Sequence, residues 1–173
     1  NSDRSPEAIR SISRAISPYP TSEAPAPPYS TGTVGPSRPR SQDGTPRVSA
    51  STTGLFSDLP VSWASRTEEA NGRTSPEELL AAAHAACFSM ALSNGLAKGG
   101  NPAERLEVTA EVHFDKVGEG WGVSRSHLSV TGSVPGIDAD AFRQAAETAK
   151  DGCPISRALK GNVELSVEAS LES

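Results

Sequence analysis

Two cysteines are the residues of this chain whose type suits covalent chemistry at neutral pH. Cys87 lies in the run LLAAAHAACFSMAL, Leu79 to Leu92, and Cys153 opens the stretch CPISRAL at 153–159. A thiolate is a nucleophile, and a pair of thiols can cycle to a disulfide and back. Two cysteines are too few for a disulfide scaffold in 173 residues, so if they work together they are redox-active and not structural. Taken alone, Cys87 reads as a packed core residue, because free cysteine is among the most buried residue types. A reactive Cys87 needs a lowered pKa, and its mid-helix position gains little from the helix dipole, which acts at the termini. A cation must come from elsewhere, and Arg66, in the loop before the helix, is the best-placed candidate. Cys153 follows a helix stop and precedes Pro154, which puts it at the start of a short helix whose amides would stabilise a thiolate. Spacing alone does not show that the two sulfurs meet.

Glu77 stands ten residues before Cys87 on the same helix, hence about 15 Å along the axis and about 80° around it. The two cannot meet within one chain's helix. Either Glu77 only supports the helix N-terminus, or it reaches the Cys87 of another subunit and makes a dimer mandatory. His84 is three residues before Cys87 and on the same face. A Cys–His pair would suit a hydrolase, but no third, orienting group is evident, and a packed or locally bonded histidine is the plainer reading. The scattered His and Cys show no metal-ligand spacing, and no glycine-rich phosphate loop is present. No metal or cofactor is expected.

The elements that must position these residues follow from patterning. Residues 47 to about 64 read as strand, turn, strand, with Val61-Ser62-Trp63 extended, and 65–74 as a polar loop holding Asn71-Gly72. Ser75, Pro76 and Glu78 open a helix with a capping box. Its next fourteen residues are almost wholly apolar and small, so it must be buried on all sides. Gly99-Gly100 ends it. Leu106, Val108, Ala110, Val112 and Phe114 alternate with polar residues as a half-buried strand. Residues 115–122 form a hairpin loop, and a strand returns from Val123 to about Val134 with a phase slip near His127-Leu128 that suggests a bulge. Asp138 caps a helix with Phe142, Ala145, Ala146 and Ala149 on one face. Val163, Leu165, Val167, Ala169 and Leu171 alternate in a last strand. The order is an α+β pattern with an antiparallel sheet backed by helices, not a βαβ series.

Residues 1–46 differ. They hold nine of the fourteen prolines among Ser, Thr, Ala and Arg, with Lys absent. This composition reads as a disordered tail, with a marginal helix near Ser5–Ile16. The formal charge of −5 argues against a nucleic-acid partner. No apolar run reaches membrane-spanning length, and the N-terminus has neither a signal peptide's apolar core nor an initiator Met, which suggests a cytoplasmic chain, processed or truncated.

The stretches SPEELLAAAHAACFSMAL at 75–92, VPGID at 134–138 and CPISRAL at 153–159, with DLPVSWASR at 58–66, together resemble the OsmC/Ohr family of bacterial hydroperoxide reductases, its OsmC branch above all. The resemblance covers about 50–173. It implies an OsmC-like α+β fold in an intertwined homodimer, with antiparallel sheets wrapped around two central helices. It also implies that Cys87 attacks the peroxide, Cys153 resolves the product as a disulfide, and Glu77 pairs with an active-site arginine matched by Arg66. Organic hydroperoxides would be the substrates, hydrogen peroxide a poorer one, and a dithiol such as a lipoylated protein the reductant. The family usually begins with a β-hairpin carrying a Trp and a glycine-rich turn. Here the Pro/Ser/Arg-rich segment stands instead, as a shifted reading frame or wrong start would leave it, and a missing strand would expose a sheet edge. The alternatives are a non-catalytic dimeric binding module and a Cys-His hydrolase.

Overall fold

The computed structural model describes residues 9–13 (as backbone), 46–49, 56–68 and 70–172. The chain divides into two compact units between residues 76 and 77, with 9–13 belonging to the larger, C-terminal one.

The larger unit is built on a four-stranded sheet. Its strands are β1 (Ile9–Ser13), β4 (Arg105–Val117), β5 (Gly120–Ser133) and β6 (Glu164–Leu171), in the order β1-β4-β5-β6. In the smaller unit β2 (Arg47–Val48) pairs antiparallel with β3 (Leu59–Pro60), and a single helical turn, α1 (Ala64–Thr67), follows. The remaining helices are α2 (Pro76–Lys98), α3 (Ala139–Gly152) and α4 (Pro154–Leu159).

β4 and β5 form a long antiparallel hairpin whose ladder runs to Val117↔Gly120. The loop is therefore two residues and not the eight that the glycine content suggested. Gly118 supplies the positive φ, +62°, at its first central position, as a tight hairpin turn requires. From Arg105 to Val112 every second residue of β4 is buried, as the alternation predicted. In β5 the phase slip lies at Ser124. His113 faces Arg125 and Phe114 faces Val123, which leaves Ser124 unpaired as a bulge. Sequence patterning put the slip three residues too late because Ser126, a polar residue, points inward.

Two further expectations change. β6 pairs parallel with β5, Arg125↔Glu164 through Gly132↔Leu171, so the sheet is mixed and β5-α3-α4-β6 is a βαβ unit. Two helices between the strands carry the chain back to the starting end, which a parallel pair requires. Residues 9–13, expected in a disordered tail with a marginal helix, form β1 and pair antiparallel with β4, Ile9↔Val112 through Ser13↔Val108. An unpaired strand edge offers backbone donors and acceptors to any extended segment, whatever its side-chain pattern. Apart from Pro46, the rest of 1–46 lies outside the described residues.

The core joins one face of α2 (Ala81, Ala85, Phe88, Leu92) to the inward residues of β4 and β5 and to Phe142, Ala146 and Ala149 of α3. Asp138 caps α3 as expected, accepting the Ala141 N–H at 2.8 Å. The other face of α2 is uncovered in the single chain. Ala83, Ala86, Asn94 and Ala97 are exposed, and Met90 is 54% exposed. The helix is thus not buried on all sides within one chain, because one sheet and α3 can cover only one side of it. By length and composition α2 is long and apolar enough to cross a membrane, with 23 residues and a mean hydropathy of 1.4, contrary to the sequence reading. Its buried Glu77 and His84 and its place in the common core mark it as the core helix of a folded unit.

In the smaller unit the extended segment ends at Val61, which bridges to Thr74. Trp63 has helical dihedrals and α1 begins at once, where a strand through Trp63 and a loop from Ser65 were expected. The Ser65 hydroxyl donates to the Ser62 carbonyl at 2.7 Å and tightens this turn.

Candidate active site: a thiol pair at the start of a short helix

Cys87 projects from the middle of α2, and Cys153 is the N-cap of α4, between the end of α3 and Pro154. Its own N–H is held by the Ala149 carbonyl of α3 at 2.8 Å, and its carbonyl accepts the Arg157 N–H of α4 at 2.9 Å. The residue is thereby clamped at the junction of two helices, as expected for a cysteine between a helix stop and a proline.

Both cysteines are free thiols, close enough that each acts on the proton affinity of the other. Each also receives an amide from the first turn of α4, Cys87 from Ile155 and Cys153 from Ser156. The environments differ in sign. Burial pushes the Cys87 thiol up against the Ile155 amide, and Cys153 beside it raises it further. Burial also pushes Cys153 up, but hydrogen bonds from His84, the Ser156 amide, Cys87 and the Ser156 hydroxyl outweigh it and pull Cys153 down to about 6. At neutral pH the pair therefore shares one proton, held on Cys87 and directed at the Cys153 thiolate. Access differs as well: Cys153 is wholly buried, whereas Cys87 is half-buried.

His84 is wholly buried. Its Nδ1 meets Ser126 Oγ of β5 and its Nε2 meets Ser156 Oγ of α4, each at 2.8 Å. It is the locally bonded histidine that the sequence favoured over a hydrolase base. The two serines were missed. Ser126 carried a signal, since it is in phase with Leu128 and Val130 on the inward face of β5. Ser156 carried none beyond its place in CPISRAL.

Glu77 is buried in the first turn of α2, and the helix separates it from Cys87 as the residue count required. Arg66 lies in the smaller unit, on α1, with its guanidinium 5.0 Å from the centre of the Trp63 ring. Among the described residues no three His, Cys, Asp or Glu gather as a metal site.

A thiol pair with unequal proton affinities, one member buried and one half-buried, set where a helix meets a mixed sheet, defines an α+β thiol-redox protein. The sequence model of the OsmC-like protein family matches residues 69–168, more than half of the chain, and the chain belongs to that family. The peroxiredoxin OsmC of Escherichia coli (strain K12) is 43% identical to it over 112 residues, 65% of this chain and 78% of that one. The organic hydroperoxide resistance protein OhrA of Bacillus subtilis (strain 168) is 30% identical over 115 residues, 65% of this chain and 79% of that one. Among solved structures, the organic hydroperoxide resistance protein OhrB of Bacillus subtilis superposes with a TM-score of 0.61 at 25% identity, over 73% of this chain and 90% of that one. One from Elizabethkingia anophelis has a TM-score of 0.65 at 24% identity, over 84% and 99%, and shows the same fold.

Proposed function

We propose that this protein is a thiol-dependent peroxidase that reduces organic hydroperoxides, and hydrogen peroxide less well, with Cys87 attacking and Cys153 resolving. The observation that carries the reading is a pair of free thiols, each acting on the proton affinity of the other, of which Cys87 alone is accessible. The proton passes from Cys87 to Cys153 within the pair, and the Cys87 thiolate attacks the terminal peroxide oxygen. An S–O bond forms as the O–O bond breaks, and the alkoxide leaves with that proton as an alcohol. Cys87 is then a sulfenic acid. Cys153, now a thiolate, attacks its sulfur, the S–S bond forms, the S–O bond breaks, and the hydroxide that leaves takes a proton from solvent to become water. An external dithiol, such as a lipoylated protein, restores both thiols by two exchanges. A reducing cytoplasm is the compartment in which that cycle runs.

Cys87's own surroundings raise its pKa, so its ionisation needs a cation that this thiol pair does not supply. The family resemblance assigns that role to Arg66, with Glu77 as the carboxylate that holds it, in a homodimer. The exposed α2 face around Met90 is the surface that a second copy covers. Arg66→Met is expected to slow sulfenic acid formation by at least about tenfold, a loss of the size typical for one charged hydrogen bond, as read by stopped-flow oxidation.

Loss of cumene hydroperoxide with dihydrolipoamide, followed for the wild type, Cys87→Ser and Cys153→Ser, tests the assignment. Turnover disappears in Cys87→Ser, and Cys153→Ser retains one stoichiometric oxidation. A folded, dimeric wild type without turnover would sink the enzyme reading and leave a binding module.

A further inference from the structure

His84 has no part in the chemistry above, yet it is wholly buried. Its ring joins two distant elements to α2. Nδ1 is hydrogen-bonded to Ser126 Oγ of β5 and Nε2 to Ser156 Oγ of α4, each at 2.8 Å. Both serines are buried too, so water does not replace a lost partner, and breaking either bond leaves polar atoms unsatisfied in the core. Apolar packing is non-directional, whereas these two bonds fix where Ser156 must stand. α4 cannot fix itself. It has six residues, too few for a helix that holds alone, and Ser156 is the one buried residue within it. The Ala149 carbonyl ties its start to α3, and the Ser156–His84 bond ties it to α2.

The spacing is the same on both helices. His84 stands three residues before Cys87, and Ser156 three residues after Cys153, about one turn in each case. The His84–Ser156 bond therefore joins the same two segments that a Cys87–Cys153 disulfide joins. A disulfide closes only when its two Cα atoms lie in a narrow range, about 4.4–6.8 Å apart. We infer that His84 is a positioning residue of the resolving step: by holding Ser156 it sets the approach of α4 to α2 at which Cys153 closes a disulfide with Cys87. Ser126 holds the other ring nitrogen and stops the imidazole from turning away. The role rests on the peroxidase reading for its use in turnover, but the geometry behind it is tested without peroxide.

The test is the equilibrium between the dithiol and the Cys87–Cys153 disulfide in dithiothreitol redox buffers, with both forms counted by alkylation and mass spectrometry. His84→Leu bonds neither serine. It is expected to lower the equilibrium constant for disulfide formation by about tenfold or more, the size of one buried hydrogen bond. Tenfold is about 30 mV on the potential of this two-electron couple. Ser156→Ala is expected to lower it to a similar extent, and the double variant no further, because the two side chains act as one link. His84→Gln, whose amide still bonds a serine, recovers most of the loss. A merely structural histidine gives another pattern. Urea unfolding of the reduced protein shifts while the dithiol–disulfide equilibrium stays, or the two single effects add, or His84→Gln loses as much as His84→Leu. Any of these overturns the inference. If His84→Leu does not fold, Ser156→Ala carries the test, and an unchanged equilibrium there equally overturns it. Turnover of cumene hydroperoxide by the wild type separates the two readings. No turnover, with the His84 dependence of the equilibrium intact, rejects the peroxidase and keeps the positioning role. Turnover with an equilibrium that ignores His84 does the reverse.

Discussion

Cys87 and Cys153 share one proton unequally, and the sign of that inequality sets a pH dependence. Hydrogen bonds pull Cys153 down to about 6 while burial and its neighbour push Cys87 up. An acid with a lowered pKa is ionised above that value and neutral below it. The pair therefore carries its negative charge above about pH 6 and loses it as pH falls through that value. The rate of Cys87 oxidation by a hydroperoxide is expected to drop about tenfold per pH unit below this point, with no second rise through neutral pH, since the raised Cys87 thiol keeps the remaining proton. Stopped-flow rates across the acid limb check it. A limb centred near the ordinary thiol value would show that His84 and the α4 amides do not act on the pair. The type and placement of both cysteines were legible in the sequence, Cys87 in an apolar helix and Cys153 between a helix stop and a proline. Their proximity was not, because 66 positions along the chain and three elements, β4, β5 and α3, separate them.

Among the elements, α3 and α4 decide where Cys153 stands, and Gly132 decides where α3 can lie. A Cβ at Gly132 would fall 2.5 Å from Phe142 Cζ and 3.1 Å from Leu106 Cδ2. The ring of Phe142 thus occupies the space over the strand that the glycine leaves open. Gly132→Val is expected to destabilise the protein by about 1–3 kcal/mol, the usual penalty of overpacking a core, measured by urea unfolding. Regeneration of the disulfide should weaken with it, because α3 carries the Ala149 carbonyl that anchors Cys153. Unchanged unfolding would mean that α3 can shift freely over the sheet. At this scale the sequence was informative where patterns were local: the start of α2, the cap of α3, the alternation of β4, the start of α4. It failed where a neighbour overrode the pattern. Ser126 faces inward because His84 needs a hydroxyl there, and that polar residue displaced the reading of the bulge from Ser124.

At the scale of the whole molecule, the exposed face of α2 is the surface on which the proposed dimer rests. Met90 is 54% exposed amid alanines on an otherwise apolar helix. Met90→Glu is expected to convert a dimer to monomers at micromolar concentration in sedimentation velocity, because a buried unpaired carboxylate is strongly disfavoured. A dimer that persists would place the interface elsewhere. By itself the sequence determined what its local chemistry allows: an α+β order of elements, a long apolar helix, two cysteines suited to exchange, and a histidine better packed than catalytic by sequence. Capping, alternation and composition act over a few residues, so they can be read along the chain. Tertiary structure alone decided that β6 runs parallel to β5, that residues 9–13 occupy the edge of β4, and that two serines from distant elements close on His84. These depend on which backbone edges and buried polar atoms remain unsatisfied after the elements pack, a condition that exists only in three dimensions.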